Sequence, residues 1–358
     1  MLPYNVEIFG RDMEFVAHDT IWEPELENDY LVPQTSRVTV RNLGLEPKNQ
    51  FIQISGNGMS YVGVISDISN NPQTGTQEIE FVSFLYSLLD LDVLIDTSQQ
   101  GVGTLENFIK NMIEALFVSS SDSSQNISGL TVTASTSTTG WGFNLKSETA
   151  GQHHLIANFY STIIARSLSK YSVALNPVFD FTAKTITIRI GRVDDVMSME
   201  ADLPTVLSAN VVYQRANNML NKLRVYNQGN YTAYVDYYLH TDGSYGTSVA
   251  NRVLPVVLKM TSTMAEDGQT FAAAAAQTAS EIFGQIAYEN LIEITVMETD
   301  TIFAPLNMQL GQIVNIYSHG KVYASVFSGR KYSKGIWTLI FGTVRVDLTR
   351  KLWRALKL

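Results

Sequence analysis

The sequence contains no cysteine among its 358 residues. Disulfide bonds and metal sites built on thiolates are therefore excluded. No apolar run approaches the roughly 18 residues that a helix needs to cross a bilayer, and no basic, apolar leader opens the sequence. We therefore expect a soluble protein that is made in the cytoplasm.

Motifs that carry catalysis are also missing. The sequence has no HExxH zinc motif, no GxSxG nucleophile elbow and no P-loop, and Gly101-Val102-Gly103 lacks the third glycine of a phosphate-binding loop. His153 and His154 are adjacent at a predicted helix start, where neighbours diverge by about 100° and do not share a metal ion. We expect His319, in a predicted turn, to face solvent. The remaining histidines are His18 and His240.

The acidic residues leave one enzymatic interpretation open. Asp90 with Asp92, and Asp194 with Asp195, could supply the two acids of a glycosidase, although solvated turns are the simpler interpretation. The acidic segment 23–29 offers oxygen ligands for calcium but lacks the DxDxDG spacing. We predict no catalytic, cofactor-binding or metal-binding residue, and no cofactor.

The residues that are present favour a β-rich protein with little charge. Charged residues make up 16% of the chain, which is below the average of about 25%. Hydrophobic residues make up 45%, and the chain has 17 Tyr and 16 Phe. Because domains usually hold about 100–200 residues, we expect two or more of them.

The net charge of −9 is unevenly distributed. Residues 1–30 hold eight acids against Arg11, whereas residues 330–358 hold eight bases against Asp347. The overall acidity disfavours tight nucleic-acid binding by the whole surface. The basic C-terminal segment could bind nucleic acid or meet an acidic surface on another subunit.

Two stretches of the chain share the pattern of a strand, a tight turn and a strand. They are QFIQISGNGMSYVGVISDI at 50–68 and QIVNIYSHGKVYASVFSGR at 312–330, and a third strand follows each, from Gln77 and from Ile336. We predict an internal duplication; the alternative is that half-buried hairpins resemble one another. Aligned without a gap, the stretches match at Gln50/Gln312, Ile54/Ile316, Gly58/Gly320, Tyr61/Tyr323, Val64/Val326 and Ser66/Ser328.

Between the two copies, the sequence predicts a module of helices and a hairpin. Apolar residues at helical spacing predict one helix over 104–118, which Thr104 can cap, and a second over 151–171. Alternating residues predict a hairpin over 173–193. The Ser/Thr-rich tract 119–142 is expected to form mobile loops or exposed strands.

The remaining segments are assigned from local composition. The acidic segment 23–29 is expected to be a loop, and 220–240 a pair of strands. An alanine-rich helix, capped by Asp267, is predicted over 267–290 on the outside of a sheet. In the last strand the apolar positions change parity at Gly342, which predicts a β-bulge.

Together these elements predict an α+β, mainly β fold. We expect two similar β-barrel domains, an inserted helix-and-hairpin module, and a long helix packed on the second barrel. The predicted divisions are a first barrel at 1–100, the inserted module at 101–204, a second barrel at 205–350 and a basic tail at 351–358.

The order of these parts resembles the baseplate hub, or tail-associated tip protein, of tailed bacteriophages. The C-terminal strands carry a pattern similar to the end of the second barrel in that family. We identify the chain as similar to siphophage-type members without an added lytic domain. The matching residues are Gly311, Val314, Ile316, Tyr323, Val326, Gly329, Phe341, Gly342, Arg345 and Leu348.

The resemblance implies a structural, non-enzymatic role in the virion at the phage tail tip, after assembly in the host cytoplasm. Two barrels resembling the tail tube in each of three chains would give a ring of six, which joins the six-fold tail tube or distal tail protein to a three-fold tip. Residues 101–204 would close the channel and open for DNA ejection, and DNA would pass without specific binding. Further implied partners are the tape-measure and receptor-binding proteins.

Two other functions remain as alternatives at this point. One is a tail-associated enzyme that degrades the cell wall with its carboxylates. The other is an adhesin that binds a cell-wall saccharide through exposed Tyr and Trp side chains.

Overall fold

The computed structural model of the chain describes residues 3–46, 50–56, 59–143, 145, 153–213, 221–240, 245–252, 254, 256, 258–265, 269–283, 290–300, 308–343 and 345. The strands are β1 Tyr4–Phe9, β2 Phe15–Ile21, β3 Leu26–Asp29, β4 Ser36–Arg41, β5 Phe51–Gly56, β6 Met59–Asn71, β7 Thr76–Ser83, β8 Asp92–Asp96, β9 Leu130–Ala134, β10 His154–Asn158, β11 Val173–Asp180, β12 Thr185–Glu200, β13 Val206–Tyr213, β14 Lys222–Asn227, β15 Asn230–Leu239, β16 Tyr245–Gly246, β17 Leu258–Thr263, β18 Asn290–Met297, β19 Gln312–Ser318, β20 Lys321–Ser333 and β21 Ile336–Phe341. The α-helices are α1 Phe84–Leu89, α2 Leu105–Phe117, α3 Ala165–Tyr171 and α4 Phe271–Phe283, with short 3-10 turns at Thr97–Gln99 and Ser123–Gln125 and a π-helical turn at Tyr160–Ile164.

This inventory confirms the predicted α+β, mainly β class. In the described ranges, no helix is both long enough and apolar enough to cross a membrane.

The first repeat is a six-stranded antiparallel sheet in the order β2-β1-β5-β6-β7-β4. Its strands bury alternate residues, because successive side chains of a strand point to opposite faces. In β4, for example, Val38 and Val40 are buried whereas Arg37, Thr39 and Arg41 are exposed. The buried face of the sheet therefore follows directly from the sequence pattern.

This sheet curls until its edge strands meet. Glu25, just before β3, and Arg37 of β4 exchange two backbone hydrogen bonds, at 2.9 and 2.8 Å. Asp19 of β2 accepts from the backbone N of Arg41 at 2.7 Å and from its Nε at 2.8 Å. Burial raises the pKa of Asp19, but the hydrogen bonds from Arg41 and Thr20 outweigh it and hold that pKa below its ordinary value. Asp19 therefore closes the curled sheet as a carboxylate.

The second repeat lies in a larger sheet with the order β11-β12-β19-β20-β21-β18-β13, with β9 beside β12 and β3 beside β20. Its strands β12, β19, β20, β21 and β18 follow one another as β1, β5, β6, β7 and β4 do in the first repeat. The sixth strand differs, because β13 pairs with β18 whereas its counterpart β2 pairs with β1. The matching strands also occur in the same order along the chain. One orientation differs, because β1 is antiparallel to β5 whereas β12 is parallel to β19.

The two repeats share the same hydrogen-bonding register. Each residue pair of the hairpin β5–β6 has its counterpart in the hairpin β19–β20. The pairs run from Phe51↔Val64 to Gly56↔Met59 in the first repeat, and from Ile313↔Val326 to Ser318↔Lys321 in the second. These are the same positions that the gap-free alignment of the sequence matches.

A β-bulge also recurs at the same place. The register of β6 against β7 shifts at Ser66, and the register of β20 against β21 shifts at Ser328. The two serines were matched in the sequence alignment. A bulge bends its strand and increases the twist, so both meanders curve at the same point. Strand order, register and bulge position together confirm the predicted duplication.

The bulge predicted at Gly342 is wrong. Strand β21 ends at Phe341, and Gly342 begins a bend with a φ of +87°. A Cβ atom at this position would clash with the backbone O of Asn290. Glycine is therefore required here by both backbone conformation and close approach, and the change of parity in the sequence marks the end of the strand.

The inserted module packs α2 and α3 against β9, β11 and β12. Helix α2 and its cap are confirmed, because Thr104 Oγ1 accepts a hydrogen bond from the backbone N of Asn107. The predicted helix over 151–171 is wrong in its first half, where His154–Asn158 forms β10 and pairs with β8. Strand β12 pairs with β11 and β9 in its first half and with β19 in its second. The module is thus continuous with the second sheet, and the domain divisions stay a prediction.

Helix α4 packs on a separate sheet with the order β16-β15-β14-β17. Ala275 and Ala279 are fully buried against Leu223 and Val225 of β14. Small alanine side chains allow this close approach of helix and sheet. The predicted packing of an alanine-rich helix on the outside of a sheet is confirmed, but its placement on the second barrel is wrong, because this sheet is separate from the one that holds β19–β21. Asp267 and residues 284–289 lie outside the described residues, and Asn290, the predicted helix end, begins β18.

A single apolar cluster joins the two repeats. It contains side chains from β1, β4, β5, β6 and β7 together with side chains from β18, β19, β20 and β21. Among its members are Val6, Ile8, Ile52, Ile54, Ile79, Phe81, Ile292, Ile294, Val314, Ile316, Phe327 and Leu339. The repeats are therefore held together by a shared core.

Candidate functional site

Strand β3 crosses from the first repeat into the sheet of the second. It lies between β2 and β4 in the chain, yet it pairs antiparallel with β20, from Leu26↔Tyr332 to Asp29↔Gly329. The backbone N of Tyr30 adds a bond of 3.0 Å to Ser328 O. The prediction of a loop over 23–29 is therefore wrong for residues 26–29. We call this junction of β3 with β20 the seam.

Opposite charges stabilise the seam. Glu27 pairs with Lys331 at 3.0 Å. Asp29 accepts two bonds from Arg345, Oδ2 from Nε at 2.6 Å and Oδ1 from Nη2 at 3.0 Å. This planar, two-bonded geometry is the strong form of an Arg–carboxylate pair. Acidic residues near the N-terminus thus meet basic residues near the C-terminus within one chain.

Close backbone approach also shapes the seam. A Cβ atom on Gly329 would lie 3.0 Å from both Asn28 O and Asp29 Cα, so a larger residue would push β3 away from β20. On the apolar side, the side chain of Leu26 is only 2% exposed. Tyr61 of the first repeat donates a hydrogen bond to Glu27 O at 3.3 Å. These contacts fix β3 from both sides.

A cluster of two tyrosines and a carboxylate lies beside the seam. Tyr332 Oη donates to Glu298 Oε2 at 2.5 Å, and Tyr4 Oη lies 3.0 Å from Tyr332 Oη and 3.1 Å from Glu298 Oε2. Burial raises the pKa of Tyr332 strongly, and the bonds to Glu298 and Tyr4 raise it further. Tyr332 therefore remains a neutral donor, and the cluster links β1 of the first repeat to the second.

The five histidines lie at separate places in the fold, apart from the adjacent pair His153 and His154. Across the described residues, no three His, Asp or Glu side chains are placed to hold a metal ion. His154 begins β10 opposite Asp96, not a helix as predicted. His319 lies in the β19–β20 turn with its side chain 90% exposed, and Nδ1 is 3.3 Å from Asp202 Oδ1.

Three of the four carboxylates that the sequence suggested as catalytic pairs have described side chains, and these three are exposed. Asp90 and Asp92 are both exposed, and Asp90 accepts a bond from Asn158 Nδ2 at 2.8 Å. Asp195 is exposed on β12, and the side chain of Asp194 lies outside the described residues. Gly101 and its neighbours form the turn before α2.

Glu106 on α2 is fully buried and accepts hydrogen bonds from several donors. It accepts from Ser135 Oγ at 3.2 Å, Ser137 Oγ at 2.8 Å, and Thr138 N and Oγ1 at 3.2 and 2.8 Å. Burial raises the pKa of Glu106, but these bonds outweigh it and lower that pKa. A general acid needs a raised pKa, so Glu106 instead fixes the Ser/Thr-rich tract on α2. Sequence composition had suggested mobile loops or exposed strands for this tract, which does contain strand β9.

The seam, the shared core and the two repeats together form a fold that is similar to that of known tail and baseplate proteins. A tail protein from Neisseria meningitidis MC58 is similar, with a TM-score of 0.54 and 13% identity over 95% of this chain and 96% of that chain. The 43 kDa tail protein of prophage MuSo2 from Shewanella oneidensis has a TM-score of 0.54 and 12% identity, over 96% and 98%.

A chain of the phage P2 baseplate, in its activated conformation with Ca, gives a TM-score of 0.51 and 12% identity over 97% of this chain and 100% of that chain. No protein-family model matches the sequence, and no curated protein matches it. At these identities the likeness establishes the fold, and it confirms the fold that the resemblance implied.

Proposed function

We propose that the chain is a structural hub of a phage tail tip or baseplate and acts as a homotrimer. The observation that carries this proposal is the duplication in register, which gives each chain two equivalent curled sheets. Three such chains offer six equivalent positions around an axis. A closed ring of this kind can contact a six-fold tail tube or distal tail protein on one side and a three-fold tip on the other.

The seam supports the hub proposal because it fixes the position of the two repeats relative to each other. A ring closes only if each unit holds a constant angle to the next. Strand β3, its two ion pairs and the shared core join the repeats at several points. Within each chain the two positions of the ring would therefore be set by folding.

The inserted module, proposed at 101–204, would lie across the channel, close it, and move aside for DNA ejection. The net charge of −9 suits a channel through which DNA passes without binding, because like charges repel. The tape-measure protein and receptor-binding proteins are the further proposed partners. The location would be the virion, after assembly in the host cytoplasm.

An enzymatic role is not part of the proposal. The buried carboxylates Asp19, Asp29 and Glu106 each accept several hydrogen bonds from fixed donors, which leaves no free acid or base among them. A cell-wall gel assay with the purified protein tests this directly. Clearing that is lost when a single Asp or Glu is replaced by its amide would establish an enzyme instead.

Imaging of virions with a labelled chain tests the hub proposal itself. The expected label lies at the distal end of the tail, and the mass of the purified assembly should be three times the 39.8 kDa of one chain. A label elsewhere on the particle, together with a stable monomer that binds no tail protein, would overturn the proposal.

One observation favours a second candidate, the adhesin. The sheet that carries α4 presents several aromatic rings on its other face, with Tyr231 62% and Tyr234 48% exposed. Exposed tyrosine rings can pack on the apolar faces of sugars. Binding of the purified chain to isolated cell walls, lost on Tyr231→Ala, would support this candidate over a hub that binds only virion proteins.

A further inference from the structure

An open strand edge distinguishes the first repeat from the second. In the second repeat, β3 pairs with β20 along Gly329–Tyr332. The matching stretch of the first repeat is Asp67–Asn70 in β6. It pairs with β7 on one side, and no strand within the described ranges pairs with it on the other.

Burial reflects this difference. Gly329 and Tyr332, which β3 covers, are buried, whereas their counterparts Asp67 and Asn70 are exposed. An uncovered edge presents backbone N–H and C=O groups that can pair with another strand. The backbone N–H and C=O groups at this edge therefore pair with β3 in the second repeat, whereas the equivalent groups of the first repeat face solvent.

The direction of the backbone groups can be assigned from the hairpin. Asn71 and Thr76 close the β6–β7 hairpin, so the N–H of Asn71 faces β7. Because the direction alternates along a strand, the N–H groups of Asn70 and Ile68 face the open edge. In the second repeat, the corresponding side of β20 faces β3, because Ser328 O accepts a hydrogen bond there from the backbone N of Tyr30, the residue after β3.

We propose that the edge of β6 at Asp67–Asn70 is a docking site for a strand from a second copy of this chain. Between chains, this strand would make the pairing that β3 makes within one chain. The proposal rests on the proposed trimer. In a ring of six equivalent units, junctions within a chain alternate with junctions between chains, and equivalent edges are expected to be filled in equivalent ways.

A second copy has a strand that can fill this edge. Strand β3 lies between β2 and β4, and the counterpart interval between β13 and β18 holds the small sheet that packs on α4. Its edge strand β17 exposes Leu258 by 41% and Met260 by 56%. Lys259 of β17 is opposite in charge to Asp67 of β6. An exposed apolar edge strand is the type of element that adds to an open sheet.

The substitution Asn70→Pro tests the proposal. Proline removes the N–H that faces the open edge and leaves the ladder with β7 intact, because edge strands tolerate proline at such positions. Asn70→Ala is the matched control, since both variants lose the bond of 2.7 Å from Gln77 Nε2 to Asn70 Oδ1 but alanine keeps the N–H.

Sedimentation over a dilution series gives the readout. The concentration at which half of the chains are assembled should rise at least about tenfold for Asn70→Pro, which loses a hydrogen bond at each junction, and should match wild type for Asn70→Ala. A trimeric wild type with an unchanged Asn70→Pro variant overturns this proposal and leaves the hub intact. A wild-type chain that stays monomeric even in the presence of tail proteins overturns both the docking proposal and the hub proposal.

Hydrogen exchange of the wild-type chain gives a test that needs no variant. The amides of Ile68 and Asn70 should exchange more slowly in the assembled protein than in dilute monomer, whereas the amide of Gln73 in the β6–β7 turn should not change. Equal exchange of Ile68 and Asn70 in both states contradicts the proposal.

Discussion

Removal of the Arg345 guanidinium should loosen β3 from the second sheet. The substitution Arg345→Met keeps an apolar stem of similar length but leaves the Asp29 carboxylate, whose side chain is 6% exposed, without its cation. Asp29 would retain only the backbone N–H donors of Leu31 and Val32, at 2.9 and 3.2 Å. Breaking a buried pair by removing one partner costs about 3–5 kcal/mol.

That energy is large compared with the total stability of a domain, about 5–15 kcal/mol. If β3 opens as a local unit, amide exchange along Leu26–Asp29 should accelerate by about two to four orders of magnitude. Urea unfolding followed by the fluorescence of Trp337, which is buried beside Tyr332, should shift to lower concentration. A loss of stability below about 1 kcal/mol, the value of an exposed pair, would refute the reasoning.

The other ion pair of β3, between Glu27 and Lys331, provides a matched control. Lys331→Met removes the partner of Glu27, but the two side chains are 42% and 33% exposed, so the expected loss is only about 0–1 kcal/mol. The double variant Asp29→Asn with Arg345→Met should recover part of the loss, because no buried charge is left unpaired. Equal losses for the two ion pairs would mean that burial does not set their strength.

Two further substitutions test other parts of the fold. Because the folded state lowers the pKa of Glu106 below its ordinary value of 4.5, the stability from its hydrogen bonds is present above that pH and is lost as the pH falls below it. Thermal unfolding of Glu106→Gln from pH 3 to 7 should show a flatter pH dependence than wild type or the partly exposed control Glu114→Gln on the same helix, and an unchanged slope would contradict this. Gly342→Ala should lose more stability in urea unfolding than the about 1–2 kcal/mol expected for Gly44→Ala, because a Cβ at position 342 would meet Asn290 whereas one at position 44, with a φ of +67°, would lie in open space; similar losses for the two would argue against the clash.

The hairpins and α2 could be predicted because their signals are local. The period of two in β5–β6 and β19–β20, and the period of 3.6 in α2, both survive into the fold. The matched serines at 66 and 328 lie at the shared bulge, which was not predicted. The bulge predicted at Gly342 in the last strand was a separate one, and it was wrong because a change of parity also occurs where a strand ends.

Strand β3 was missed because its partner is distant in the chain. Its acidic residues look unsuited to a sheet until Lys331 and Arg345 are placed beside them. The excess of acids at one end and of bases at the other was the available signal. It indicated complementary charges but not that they meet within one chain.

Strand β10 was mistaken for helix for a similar reason. Ile156 fits the helical spacing of the residues that follow it, yet its side chain is 72% exposed and it pairs with Leu94, which is 59% exposed. The spacing of apolar residues in this segment favours a helix, whereas pairing with the edge of β8 makes it a strand. Tertiary pairing overrides local preference in such short segments.

A three-dimensional image of the purified assembly tests the central claim most directly. The account predicts three chains around a channel, with six curled β units in which first and second repeats alternate. Junctions between chains should place a strand against β6 at Asp67–Asn70, as β3 lies against β20 within each chain. A ring with another number of units, or one in which only one of the two repeats lines the channel, would contradict it.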